Sequence, residues 1–508
     1  LRDWEAITRL RGQRSRRLRE FIDHATDLGL MEIRPVWLMN PDIASRVLPL
    51  KSGLFDTVIY DEASQMPVEY ALATLFRAKI VIVSGDEKQM PPTAFFSSKV
   101  ESDESTIFDG EEPEEDSTEF ERDLFEETWN RREIKDCPDL LHLARTVLPP
   151  KNLEIHYRSD YRELIGFSNA AFYGNGLHVP VRHPVSKILQ AQPIEFSQID
   201  GVYADQTNLR EAAEVPEILA RFWNQTSGRR PSIGVVTFNR KQADLISEVL
   251  EERAENDVAF RAAYSQERER VENGEDVSFF VKNVENVQGD ERDIILFSAT
   301  FGRNVQGTFR RTFGVLGQKG GERRLNVAIT RARQKVVMLN SMPIREISDM
   351  LSTHQQPSTP RDYLQGYLEY ARTMSLGSME LAELLLSRMV TVRRTHAGVG
   401  NVETDPLIDS VALYIRSLGY LPVTAQDGGV FGLDFAIEHP RTGLYAIGIE
   451  CDAPQHPLLS SAKARELWRP SVFGRSIAKV HRISSHGWYH ARNEEQARLK
   501  QAIQDAVA

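Results

Sequence analysis

Hydrophobic residues in this chain fall into short runs with abrupt polar ends. Thr57–Tyr60 and Ile80–Val83 are rich in β-branched residues and stop at Asp61-Glu62-Ala63-Ser64 and Gly85-Asp86-Glu87-Lys88-Gln89. Continuous apolar runs of this length predict strands of a parallel sheet covered on both faces. Each strand then delivers its polar cluster to the carboxyl edge of the sheet, where ligands of open α/β sheets bind. Upstream, 33–54 reads as a strand, a polar turn and a short helix.

The pattern restarts after Lys151. A short strand in 152–159, a helix over Tyr161–Phe172, a strand in 231–239, a helix over Arg240–Glu252 and a strand over Ile294–Ala299 precede a helix and strand in 325–339. Strands alternating with helices at this interval predict a second parallel sheet. A helical period over Tyr363–Met389 reads as a connector. The pattern then changes again: a helix Pro406–Leu418 capped by Gly419, followed by strands Tyr420–Ala425, Gly432–Glu438, Leu444–Cys451 and Lys479–Ser484. The fold class is α/β, with boundaries at 1–148, 149–345, 346–400 and 401–508.

Candidate chemistry sits at the strand ends. Asp61 can hold the Mg²⁺ of a nucleoside triphosphate, leaving Glu62 to orient or deprotonate water, while Gln89 can sense the γ-phosphate. In the C-terminal part, the turn His439–Gly443 brings the strand of Asp434 beside that of Glu450. Period-2 alternation puts Glu450 and Asp452 on one side. Three converging carboxylates, Asp434, Glu450 and Asp452, can bind one or two Mg²⁺ and activate water against a phosphodiester. His481, His486 and His490 fit no zinc spacing, and Trp468 and Trp488 read as core anchors.

Composition adjusts this picture in two places. The 508 residues suffice for about three domains. The net charge of -11 argues against a polyanionic partner until its location is considered. Glu101–Glu127 holds fourteen acidic residues and one basic, Arg122, so the rest of the chain is close to balanced at +2. Local patches, not net charge, steer phosphate backbones. The acidic stretch 97–130 reads as a loosely held insertion. Arg9, Arg11, Arg14, Arg16, Arg17 and Arg19 crowd one basic helix in 1–30, either a solvated face or a nucleic-acid contact. Two distant cysteines, Cys137 and Cys451, offer no disulfide framework, and no apolar run is long enough to span a bilayer, so a cytoplasmic protein without a membrane partner is expected.

The loops DEAS, GDEKQ, HYRS, QGDERD and TRAR, in this order, resemble the motifs of superfamily 1 helicases, particularly the group containing the nonsense-decay helicase. The resemblance implies a partial first RecA-like domain carrying the acidic insertion (1–148), a complete second one (149–345), a helical connector (346–400) and ATP as cofactor with Mg²⁺. It further implies that Arg158 and Arg331 reach the γ-phosphate across an interdomain cleft, that Glu291 lies near the nucleotide, and that Gln288 and Gly289 lie near the nucleic-acid backbone. A planar, permanently charged guanidinium suits the first of these roles. The pattern G-x-x-x-x-G-K-[ST] occurs nowhere in the chain, so the phosphate cradle is expected from an upstream half of a longer protein, a degenerate ATPase being the alternative.

Residues 401–508 resemble a smaller α/β domain, the PD-(D/E)XK nuclease of the very-short-patch repair endonuclease type. The residues that carry the likeness are Gln426, Gly428, Gly432-Leu433-Asp434, Gly448–Ala453, His456, Ala464-Arg465-Glu466 and Gly487-Trp488. Asp452 stands where the general pattern has lysine, leaving Lys463 and His456 as candidates for that role. The joint resemblance implies an ATP-dependent DNA helicase or translocase fused to a metal-dependent endonuclease, acting in DNA processing or defence against foreign DNA. A catalytically inactive nucleic-acid-binding scaffold and an RNA helicase are the alternatives, with DNA ahead of RNA as partner.

Overall fold

The computed structural model describes residues 18–90, 139–180, 182–224, 228–350, 356–390, 405–425, 430–452, 457–474, 476–477 and 479–508. The acidic stretch 97–130, Arg9 to Arg17 of the basic helix, Gln426, Gly428, Ala453 and His456 lie outside the described residues. The chain divides into two compact units, Leu1–Asn152 and Leu153–Ala508.

In the first unit, α1 (Leu18–Asp27) precedes β1 (Phe55–Tyr60), α2 (Val68–Phe76), β2 (Ala78–Val83) and α3 (Leu140–Val147). β1 and β2 pair in parallel, with Thr57 opposite Ile80 and Tyr60 opposite Val83. One face of this pair, through Tyr60, packs on Ala71 and Leu140. The other leaves Ile59, Ile80 and Ile82 exposed, so the expected cover on both faces is present on one only among the described residues. The strand expected after Ile33 is absent. Residues 35–40 are irregular, because Pro35 lacks an amide donor and no partner strand runs alongside, while the short helix forms as Pro41–Val47. Arg77 fastens this unit from within. It is buried, donating from Nε to the Pro49 carbonyl at 2.9 Å and from Nη2 to that of Leu48 at 3.1 Å.

The second unit begins with α4 (Glu163–Tyr173) and contains β3 (Ile194–Gln198), α5 (Leu209–Trp223), β4 (Ile233–Thr237), α6 (Arg240–Asn256), α7 (Val258–Arg268), β5 (Phe280–Asn283), β6 (Arg292–Ser298), α8 (Gly321–Ile329) and β7 (Ala332–Asn340). The five strands form one parallel sheet in the order β3-β7-β6-β4-β5. Alternation along the strands serves two cores. Ile233, Val235, Ile294, Leu296, Val337 and Leu339 face α5, α6 and α7. Val236, Ile295, Phe297, Val336 and Met338 face α4, α8 and two later helices, α9 (Pro360–Ser375) and α10 (Met379–Met389). The expected connector is therefore part of this domain: Leu364, Tyr367, Leu368 and Met389 are buried in the same core as Phe297. The two helices part at Gly377, whose φ of 72° is a conformation that favours glycine.

The C-terminal domain opens with α11 (Pro406–Ser417). A sheet follows of β8 (Val423–Ala425), β9 (Leu433–Glu438), β10 (Tyr445–Cys451) and β11 (Val480–Ile483), and α12 (Arg492–Val507) closes the chain. β8, β9 and β10 are antiparallel, and β11 runs parallel to β10. Leu407, Val411, Phe435, Ile449, Trp488 and Leu499 form the core. Trp488 is a core anchor as expected, with its indole donating to Ser410 Oγ at 3.0 Å.

One carboxylate organises the carboxyl edge of the five-stranded sheet. Glu211 on α5 is fully buried and accepts from Ser298 Oγ (2.6 Å), the Thr300 amide (2.8 Å) and Ser341 Oγ (2.7 Å). These donors favour its charged form, but burial outweighs them and pushes its pKa up to about 7. Native Glu211 then binds its proton more tightly than the unfolded chain does, so its contribution to stability falls as pH rises from the ordinary carboxylate value to 7, and levels off above. By urea unfolding across this window, Glu211→Gln is expected to remove about 3 kcal/mol of the total fall in stability shown by the wild type; parallel pH profiles would contradict the assignment.

Candidate active sites

In the first unit, β1 ends at Tyr60 and the chain turns sharply after Asp61, with Glu62 in the left-handed region at φ 53°. The Glu62 amide donates to Asp61 Oδ1 at 3.0 Å, and both acidic residues are exposed. The DEAS turn and the GDEKQ turn are in direct contact. The Ala63 amide donates to the Ser84 carbonyl at 2.9 Å, and a Cβ on Gly85 would stand 3.1 Å from the amides of Ala63 and Ser64. A side chain there would crowd both amides, so glycine gives the two loops their close approach. Gln89 turns its amide onto Asp86, donating to Oδ2 at 3.1 Å, and Glu87 is ion-paired with Arg145. An exposed carboxylate at a strand end suits Mg²⁺, which keeps most of its water and takes one or two protein ligands beside substrate phosphates. Asp61 would hold the ion and Glu62 would lie next to it.

The second unit gathers Arg158, Glu291 and Arg333. Arg158 Nε lies 2.5 Å from Glu291 Oε1, and Arg333 Nε lies 3.3 Å from Oε2. Three loops meet here: the HYRS turn, the residue before β6 and the start of β7. The Asp160 amide donates to the Arg333 carbonyl at 2.7 Å and fixes the first to the third. The cluster lies at the amino ends of β6 and β7, the edge opposite the one where α/β sheets usually bind ligands. Its ions are partly open to solvent, with side-chain exposures of 36% for Arg158, 38% for Arg333 and 20% for Glu291. Beside them, burial and the Arg158 charge hold the His156 pKa down at about 4, so this histidine is neutral and adds no further charge.

Arg331 does not join the cluster. It is buried, with Nε donating to the Val327 carbonyl at 2.7 Å and Nη2 to Thr330 Oγ1 at 3.2 Å, so it closes the end of α8. Arg333, two residues on and on the same alternating face of the strand start, occupies the open position instead. The spacing of the TRAR motif admits either arginine, and only the turn geometry at Thr330 separates them. Gln288 and Gly289 form the tip of a turn closed by the Asp290 amide donating to the Val287 carbonyl at 3.2 Å. Gly289 has φ 84° and no atom within 4 Å of where a Cβ would stand, so backbone conformation alone demands glycine there.

In the C-terminal domain the three expected ligands do not converge. Asp434 and Glu450 face each other across β9 and β10, whose register pairs Phe435 with Ile449. Asp434 Oδ2 accepts from the Cys451 amide at 2.6 Å, and burial raises its pKa. The same burial pushes the Cys451 thiol up to about 12. Glu450 is buried, and both its oxygens are engaged: Oε1 with Arg469 Nη1, and Oε2 with Arg482 Nη2 at 3.2 Å. Asp452 lies past the strand end at φ 63°, which breaks the alternation. Its Oδ1 accepts from the Ser485 amide at 2.7 Å, at the start of the Ser485–His490 turn of helix. Among the described residues, no group of three or more His, Cys, Asp or Glu is placed to hold a metal ion. Glu450, with both oxygens already paired to arginines, is not placed to take Mg²⁺ as arranged. The sequence pattern does not single out Arg469 or Arg482 as partners of Glu450, because their meeting depends on the β10–β11 register and on the Arg469–Phe473 helix.

Two family profiles match the chain: an AAA domain (AAA_12) over 120–342 and REase_MTES_1575 over 408–503. The uncharacterized ATP-dependent helicase MG140 of Mycoplasma genitalium is 35% identical over 348 residues, 68% of this chain and 28% of that protein. The uncharacterized ATP-dependent helicase MJ0104 of Methanocaldococcus jannaschii is 25% identical over 342 residues, 65% of this chain and 43% of that protein. DNA2 of Gallus gallus, a DNA replication ATP-dependent helicase/nuclease, is 26% identical over 322 residues, 62% of this chain and 26% of its own length. The chain thus spans only a quarter to under a half of these relatives. No described helix is long and apolar enough to cross a membrane.

The different settings of the two arginines give a stability test. Arg331→Ala removes a buried charged donor from the Val327 carbonyl, leaving it only the Thr330 hydroxyl at 2.9 Å, and is expected to cost about 1–3 kcal/mol in urea unfolding. Arg333→Ala, at a partly exposed ion pair, should cost under about 1 kcal/mol. Equal losses would contradict the assignment.

Proposed function

We propose that the chain, which is similar to an AAA domain, to ATP-dependent helicases and to a restriction-endonuclease-like family, is part of an ATP-driven superfamily 1 motor that tracks along DNA. The observation that carries the reading is the pair of guanidiniums held on Glu291. Phosphoryl transfer needs little covalent help from the protein; it needs positive charge fixed where the transferring oxygens become more negative. Arg158 and Arg333 suit this role because they are cationic at any physiological pH and partly open to solvent. Glu291 keeps both in place until phosphate oxygens compete for them.

Asp61 is assigned to the Mg²⁺ that accompanies ATP, which supplies charge neutralisation when bound. Glu62 orients the attacking water and accepts its proton, and Gln89 exchanges its bond to Asp86 for one to the γ-phosphate. Arg331, buried at the end of α8, supports the loop that carries Arg333. Gln288 and Gly289 are assigned to the nucleic-acid backbone, where an exposed turn tip brings main-chain amides close to phosphate. DNA is favoured over RNA by the likeness to a protein whose name places it in DNA replication. The C-terminal domain engages the same DNA.

The test uses a polypeptide that carries a G-x-x-x-x-G-K-[ST] segment together with these residues. Arg158→Gln and Arg333→Gln should each lower DNA-stimulated ATP turnover by about 10³-fold. Affinity for single-stranded DNA, measured by fluorescence anisotropy, should stay within about twofold, because the phosphate contacts that set it lie elsewhere. Turnover that survives both changes would overturn the reading.

A further inference from the structure

Both oxygens of Glu450, one of the three carboxylates expected to bind Mg²⁺, are engaged in this domain. Arg469 is buried with Glu450, at side-chain exposures of 3% and 5%. Its remaining donors are also placed: Nε to the Val430 carbonyl at 2.7 Å and Nη2 to that of Gly432 at 2.6 Å. Arg469 thereby ties the entry to β9, the end of β10 and the Arg469–Phe473 helix into one knot. On the other side, Arg482 on β11 stands in register with Glu450. It donates to Glu450 Oε2 and bridges to Glu466 at 2.9 Å.

We propose that Glu450 is the structural counter-ion of Arg469 and Arg482, and that the C-terminal domain holds DNA without a divalent-metal centre at this carboxylate. Its choice of DNA as partner rests on the function proposed above; the assignment of Glu450 does not. A dication on Glu450 would sit in contact with two guanidiniums fixed in a poorly hydrated site, where like charges repel strongly. Moving Glu450 out to meet a metal would leave Arg469 as an uncompensated buried charge. Among the described residues the other two carboxylates are held apart from it by separate bonds, Asp452 Oδ1 to the Ser485 amide and Asp434 Oδ2 to the Cys451 amide, and no group of three ligands forms.

A metal ligand and a counter-ion respond oppositely to removal. Deleting a ligand from a carboxylate cluster relieves like-charge repulsion and leaves the fold intact or firmer. Deleting a counter-ion strands its partner. Hydrogen exchange read by mass spectrometry on peptides covering 433–452 of the whole chain separates the two, and it is local, so a failure of the motor assignment would leave it unaffected. Millimolar MnCl₂ should leave exchange there unchanged in the wild type. Glu450→Gln should accelerate it by about 100-fold, and adding Arg469→Met should recover part of that loss. Manganese-dependent protection that Glu450→Gln abolishes would overturn the proposal, as would unchanged exchange in Glu450→Gln. Should Glu450→Gln fail to fold, the wild-type manganese arm decides alone.

Discussion

Two guanidiniums on one carboxylate constrain the second unit. Arg158, Glu291 and Arg333 come from three separate loops, and no local turn chemistry would bring them together. The parallel sheet does so, because β6 and β7 are neighbours and start at the same edge. The two hydrophobic cores on either side of the sheet fix those strand starts, and the amide of Asp160 on the Arg333 carbonyl brings the HYRS turn to them. Packing therefore sets the position of charge, and charge sets the chemistry that the edge can perform.

The same chemical unit, a glutamate between two arginines, appears again at Glu450, and burial gives it the opposite meaning. At Glu291 the ions keep contact with water, so each pair is weak and exchangeable. At Glu450 the carboxylate and Arg469 are almost wholly removed from solvent, and separating them leaves a charge with nowhere to go. One cluster is suited to meet a ligand, the other to hold a sheet together. A reading by residue type alone treats them alike.

Much of the architecture was legible along the chain. β1, β2, β4, β6, β9, β10 and β11 fall within one to three residues of their expected positions, since short β-branched runs between polar turns have few other solutions. What escaped were features decided by tertiary contact. α9 and α10 read as a connector because an amphipathic helix does not say which core it joins. β3 went unnoticed because Ile194–Gln198 alternates weakly. Arg331 and Arg333 share a motif, and only the buried end of α8 distinguishes them. Asp452 follows the alternation expected for a ligand until a left-handed residue at the strand end turns it away.

The most direct measurement is a structure of the motor, with its phosphate-binding segment, bound to single-stranded DNA and an ADP–aluminium fluoride complex that imitates the transferring phosphoryl group. The account predicts that Arg158 and Arg333 shift from Glu291 onto the fluoride ligands while Arg331 stays on the Val327 carbonyl. Both arginines remaining on Glu291, with the phosphoryl mimic held by other side chains, would contradict it.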